Sequence, residues 1–284
     1  QTQLQDHVCV CACVCVCVER DEGESAGCVF AHRQAWSQKE IAPFQHVQRM
    51  EPFAKEYSTM AGSAPLVTAR AIPVSVTPDG RGLNDRGLNL NLARASQFLA
   101  KKRWPPGLIK CVQDNLHKYA YRIFIVDDSG SMAASDGNRL VTSANGLHAK
   151  KIQCTRWSEL AETVKFHGEL AYMSQAPTEF RFLNTGHPIQ VGTTEDGGTS
   201  LSVLQGMLSE SPGGVTPLCR HVREVTHIVQ SMEQQLRANR QEVSLTIFTD
   251  GESSDGNLAA ALKPLEGLPV RGVIRLCTDN DNVL

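Results

Sequence analysis

Two short stretches carry acids and hydroxyls in an arrangement suited to a hard cation. Asp127-Asp128-Ser129-Gly130-Ser131-Met132 sets a carboxylate and two hydroxyls two residues apart, and Gly130 lets the chain fold sharply enough for them to face one point. Thr249-Asp250-Gly251 adds a second acid, and Gly213-Gly214-Val215-Thr216-Pro217 adds a hydroxyl where a helix begins. Oxygen donors of this kind suit Mg²⁺ or Mn²⁺, which favour octahedral coordination and keep some of their waters. Each residue alone has an ordinary reading. Asp127 caps a turn, Ser129 and Ser131 are turn residues, and Thr216 caps a helix before Pro217 at its first position. Their order along the chain makes them a candidate constellation of Asp127, Ser129, Ser131, Thr216 and Asp250.

The surrounding pattern must bring these pieces together. Ile123-Phe124-Ile125-Val126 is a continuous apolar run that ends in Asp127, as a parallel strand covered on both faces reads. Val243–Phe248 is a second such run, ending near Asp250. Between them a polar loop from Asp128 to about Thr155 precedes a helix capped by Thr155, on which Leu160, Ala161, Val164 and Ala171 share a face. Short strands follow at Glu179–Leu183 and Ile189–Val191, then a small helix over 201–209. The clearest helix spans Pro217 to about Asn239, with Leu218, Val222, Val225, Ile228, Val229, Met232 and Leu236 on one stripe. A helix over Leu258–Leu265 and a strand over Val270–Leu276 end the series. Strands alternating with crossover helices predict an α/β fold, doubly wound, with a mostly parallel central sheet flanked by helices. Ligands of such sheets bind beyond the carboxyl ends of the strands, where both acids would lie.

Asp127-x-Ser129-x-Ser131, then Thr216 ahead of a helix, then Asp250 in Thr-Asp-Gly, together resemble the metal-ion-dependent adhesion site of von Willebrand factor type A domains, over roughly residues 120 to 284. The resemblance implies a Rossmann-like domain in which Ser129, Ser131 and Thr216 hold the metal directly or through water, and Asp127 and Asp250 mainly through water. It implies a protein-protein interaction module whose metal receives an acidic side chain of a partner. Carboxylates kept one water away leave the ion electrophilic enough to attract that anion. Two departures stand out: the long loop from Met132 to Cys154, and the lack of a further helix and edge strand after Val270–Leu276. Either the sequence stops short of that helix and strand, or residues 60–90 supply a substitute edge. Without a cation, Asp127, Asp128 and Asp250 would repel one another, so Asp250→Ala is expected to leave the metal-free protein at least as stable.

The alternative is a metal-dependent phosphoryl-transfer enzyme or a receiver-like α/β domain, because a strand-end acid also serves that chemistry. Ser129 stands where a haloacid-dehalogenase-type phosphatase has its second acid, however, and no lysine follows Val270–Cys277 as a receiver would need. P-loop and Gly-x-Ser-x-Gly signatures are missing too. Asp128 is read as supporting the ligands or as solvated rather than ligating, Met132 as core, and Trp104 and Trp157 as packing anchors. His167, His187, His221 and His227 form no common motif.

Composition narrows the partners. With 28 basic and 30 acidic residues in 284, the net charge of −2 creates no field to draw a phosphate backbone, which argues against nucleic acid. No stretch nears the roughly 18 continuous apolar residues of a membrane span, so no membrane insertion and a cytoplasmic location are expected. Five of the ten cysteines alternate in Cys9–Cys17, a spacing unlike a zinc knuckle and like translated dinucleotide repeat. Cys28, Cys111, Cys154, Cys219 and Cys277 are scattered, as small buried thiols are. Three segments result: a disordered or low-complexity tail over 1–60, a lead-in with short helices near Leu92–Lys102 and Leu108–Tyr119 over 61–119, and the domain over 120–284.

Overall fold

The computed structural model describes residues 7–8, 90–142, 149–193 and 198–278. The tail expected over 1–60 lies outside these apart from β1 (His7–Val8), and so does an edge from 60–90. A five-stranded sheet forms the centre, in the order β6-β5-β2-β7-β8. β2 (Tyr119–Val126) is its middle strand, parallel to β5 (Thr178–Phe182) and to β7 (Glu242–Thr249). β8 (Val270–Leu276) runs parallel to β7, while β6 (Ile189–Val191) is antiparallel to β5. The chain builds outward from β2 in one direction and from β7 in the other, so the order reverses between the two strands that end in the acids.

Alternation along β2 explains why its run is apolar throughout. Tyr121, Ile123 and Ile125 pack on one face with Leu245, Ile247 and the stripe of α5 (Leu218–Ala238), backed by α6 (Leu258–Leu262). Phe124 and Val126 pack on the other with Phe180, Phe182 and Phe248 under α3 (Arg156–Ser174) and α4 (Thr199–Leu208). α3 is buried on two sides. Leu160 and Val164 face the sheet, whereas Phe166 and Leu170 meet Phe98, Leu99, Val112 and Leu116 of α1 (Leu92–Lys101) and α2 (Pro106–Lys118). The lead-in helices therefore cap the domain rather than stand apart, with Trp104 stacked on Phe166 at 5.6 Å.

The expected long loop after Met132 is a hairpin instead. A short 3-10 turn at Gly130–Ala133 leads into β3 (Gly137–Thr142), which pairs antiparallel with β4 (Ala149–Cys154). Its polar sequence reads as loop because a hairpin outside the central sheet needs no continuous apolar face. β1 pairs with the other edge of β3. The hairpin returns the chain to Thr155, whose side chain accepts from Ser158 N as the cap of α3.

His167 of α3 gives the fold a pH dependence. Its ring lies against Phe124 at 4.8 Å and Phe166 at 5.7 Å. Burial drives the imidazole down from 6.5 to about 3, and the charges of Arg275 and Arg122 push the same way. The folded pKa is below the unfolded one, so between those values the unfolded chain binds the extra proton. Stability is then fully present above pH 6.5 and falls, by up to about 1.4 kcal/mol per pH unit from this group, as acid is added. His167→Phe should lose about 2 kcal/mol less than wild type between pH 7 and pH 5 in urea titrations. Equal losses in both proteins would remove His167 as the cause.

Candidate metal centre

Asp127 and Asp250 meet at one end of the sheet because Val126 and Phe248 are paired neighbours and Asp127 N donates to Phe248 O at 3.0 Å. Both acids are deep, Asp127 fully buried and Asp250 at 2 % exposure, with Ser129 also at 2 %. Gly130 and Ser131 above them are exposed. Ser131 Oγ donates to Asp250 Oδ1 at 2.8 Å, and Ser129 Oγ lies 3.0 Å from Ser131 Oγ. The one proton on Ser131 is already given to Asp250, so Ser129 donates to Ser131 and a chain of oxygens runs Ser129, Ser131, Asp250. Asp127 stands beside this chain. Its Oδ1 accepts from Ser129 N at 2.9 Å and its Oδ2 from Thr249 Oγ1 at 2.7 Å. Burial raises its carboxyl above the ordinary range, hydrogen bonds from Ser129 and Thr249 oppose this, and the charge of Asp250 adds to it.

Thr216 is carried to the same end of the sheet by its loop. Gly213 N donates to Asp128 O at 2.7 Å and Gly130 N donates to Gly214 O at 3.2 Å, which docks residues 209–217 on the Asp127 loop. Among the described residues the Thr216 hydroxyl is not part of the hydrogen-bonded set; its main chain is, with its N–H donating to Ser254 Oγ and its carbonyl accepting from Ser254 N. Nor is Thr216 the helix cap. α5 begins at Leu218 with Pro217 in the cap position and no cap from that residue. Asp255 does the work from across the site, accepting from Cys219 N at 2.9 Å and Arg220 N at 2.8 Å. Burial alone would raise its carboxyl, but those bonds and one from Ser253 bring it below the usual range. Proline offers no side-chain oxygen, so the orphan N–H groups of the first turn need a partner from elsewhere.

Two residues not singled out from the sequence shape the site. Asn184, just past β5, links three loops: its N–H and Nδ2 both donate to Asp128 Oδ1 at 2.9 Å, Nδ2 also donates to Val215 O, and its Oδ1 accepts from Val215 N at 3.1 Å. Asp128 is therefore buried and supports the loop arrangement rather than being solvated. Arg156 is the second. Its Nη1 donates to Asp250 Oδ2 at 2.8 Å, and its Nε and Nη2 donate to the two oxygens of Asp136 at 2.6 Å each. The repulsion expected among the acids is therefore relieved at Asp250 by a guanidinium of this chain. A basic residue in the first turn of a helix faces the positive end of the helix dipole, and that anomaly was the available signal.

No protein-family model and no curated protein matches this chain. The chemistry of the site has to be read from its own donors. Among the described residues no three His, Cys, Asp or Glu side chains converge to hold a metal ion, so a metal here depends on hydroxyl ligands. Those present fit one: two hydroxyls and a carboxylate oxygen in contact, over a second buried carboxylate, give the hard oxygen set that Mg²⁺ or Mn²⁺ takes. Among the described helices none is long and apolar enough to cross a membrane. Cys219 and Cys277 are buried free thiols, Cys111 and Cys154 partly so.

Proposed function

We propose that the domain belongs to the von Willebrand factor type A type and acts as a divalent-metal-dependent protein-protein interaction module. The observation that carries this reading is the line of contact from Ser129 through Ser131 to Asp250, built from separate loops at the reversal point of the sheet. A mostly parallel sheet flanked by helices is compatible with that family's Rossmann-like fold. Ser129, Ser131, Thr216, Asp127 and Asp250 would hold the ion, and the ion when bound would supply a Lewis-acidic position for a partner's carboxylate. Buried Asp127 and Asp250 set the negative potential beneath it, and exposed Ser131 leaves the upper side open to an outside group. Val215, at 62 % exposure on the docked loop, offers apolar surface beside that opening for a partner side chain to cover.

The test uses Mg²⁺ and Mn²⁺ as probes. Mg²⁺ should raise the melting temperature of the intact protein and EDTA should reverse it, since an ion that binds only the folded state stabilises by mass action. Mn²⁺ with the protein should broaden the side-chain carboxyl signals of a short glutamate-containing peptide beyond the effect of Mn²⁺ alone. A melting temperature indifferent to both ions would reject the metal reading, and metal binding without peptide broadening would reject the acidic-partner reading.

A further inference from the structure

We propose that Arg156 is a tethered counter-cation that competes with the divalent ion for Asp250, while Asp136 holds it in readiness to yield. This inference rests on the metal-binding reading of Asp250. The Arg156 side chain is only 8 % exposed, and it stands at the first position of α3, where the helix dipole disfavours a positive charge. Its place there follows from its partners. Two parallel bonds of 2.6 Å fix it to Asp136, a bidentate pair, and a single bond of 2.8 Å reaches Asp250. Asp136 itself is 37 % exposed and is steadied by Thr278 Oγ1 at 3.2 Å, with the Arg156 guanidinium holding its carboxyl well below the usual range.

The asymmetry sets the order in which contacts give way. Each oxygen of Asp250 already holds a donor from the chain, Oδ1 from Ser131 and Oδ2 from Arg156. A cation seated on Asp250 meets a like charge one carboxylate away, and the contact it weakens is the single bond, because the bidentate pair with Asp136 retains the guanidinium. Asp136 directly precedes β3, and Gly137 is so close to Thr155 that an added Cβ would lie 2.6 Å from its carbonyl oxygen. The base of the hairpin and the start of α3 are therefore locked around this arginine, which ties the ion's affinity to their position.

Mn²⁺ binding to the full chain, followed by the loss of the free-ion electron spin resonance signal, tests the proposal. Arg156→Met should bind Mn²⁺ roughly 10-fold more tightly than wild type. Arg156→Lys, which keeps the charge but gives up the bidentate hold on Asp136, should fall between wild type and Arg156→Met, and Arg139→Gln on the exposed hairpin should change affinity less than roughly twofold. Saturating wild type with Mg²⁺ should also shift the resonance of the Arg156 Nη1 protons, which face Asp250. Should Arg156→Met fail to fold, Arg156→Lys and that resonance decide: Lys binding at least 10-fold tighter, or a resonance that does not move, overturns the proposal. Wild-type binding with Arg156→Met no tighter overturns the counter-cation role alone. Binding by neither protein overturns it together with the metal reading, whereas binding by Arg156→Met only supports a guanidinium strong enough to exclude the ion.

Discussion

Asp250→Ala is expected to destabilise the metal-free protein by about 1–3 kcal/mol and to abolish any gain from Mg²⁺. Charge repulsion among the strand-end acids argues for the opposite sign in the metal-free state, and the geometry of Arg156 decides between them. Removing Asp250 leaves Arg156 Nη1 and the Ser131 hydroxyl without their acceptor in a site where the arginine is only 8 % exposed. The loss stays below the roughly 3–5 kcal/mol of a fully stranded buried charge, because Asp136 keeps two bonds to the guanidinium. Wild type at 100 times the dissociation constant of Mg²⁺ should gain about 2.7 kcal/mol, and the variant nothing. Calorimetry with EDTA and with Mg²⁺ reads both quantities. A metal-free variant as stable as wild type would show that the Arg156–Asp250 bond contributes nothing net. A variant that still gained from Mg²⁺ would remove Asp250 from the site.

Gly214→Ala should cost about 2–4 kcal/mol and release the loop that carries Thr216. Gly214 has φ +97, a backbone region that L side chains rarely adopt, and a Cβ there would lie 2.4 Å from Asn184 Oδ1. The asparagine cannot simply turn aside, since it holds Asp128 and both polar groups of Val215. Gly213→Ala is the matched control: its Cβ would enter open space, and its φ is not in the positive region. That neighbour should stay within about 0.5 kcal/mol of wild type. Urea titration gives the stability difference, and proteolysis within 209–217 reports release of the loop. Equal behaviour of the two alanine variants would mean that the Asn184 clamp does not hold this loop.

Where the sequence was informative, the cause was local. Ile123–Val126 and Val243–Phe248 announce buried parallel strands because both of their faces are covered, and β2 and β7 prove to be neighbours with Asp127 and Asp250 at the same end. Thr155 caps α3 as its position before an amphipathic run suggests. The hairpin was hidden by its polar composition, although Asn145-Gly146 between two strand-like pieces is a hairpin signal. Arg156 and Asn184 escaped for a different reason. Their partners lie 94 and 56 residues away, at Asp250 and Asp128, and local sequence names neither partner, although a basic residue at the start of α3 marks Arg156 as out of place. The same holds for Asp255, whose capping of α5 spans 36 residues to Cys219 and replaces the role that the sequence Thr216-Pro217 suggests.

The pairing of β2 with β7 also sets when the site can exist during folding. Thr249 Oγ1 reaches Asp127 across 122 residues of chain, and Ser131 reaches Asp250 across 119, so the contacts that join the two acids close long loops. β2 and β5 meet across a much shorter interval, and the hairpin closes on itself. Loop-closure entropy and the slowness of non-local parallel pairing place the β2–β7 contact late. Partly folded forms of this chain can therefore carry a formed hairpin and a seated α3 while Asp127 and Asp250 are still apart, and the juxtaposition of the two acids marks completion of the central sheet.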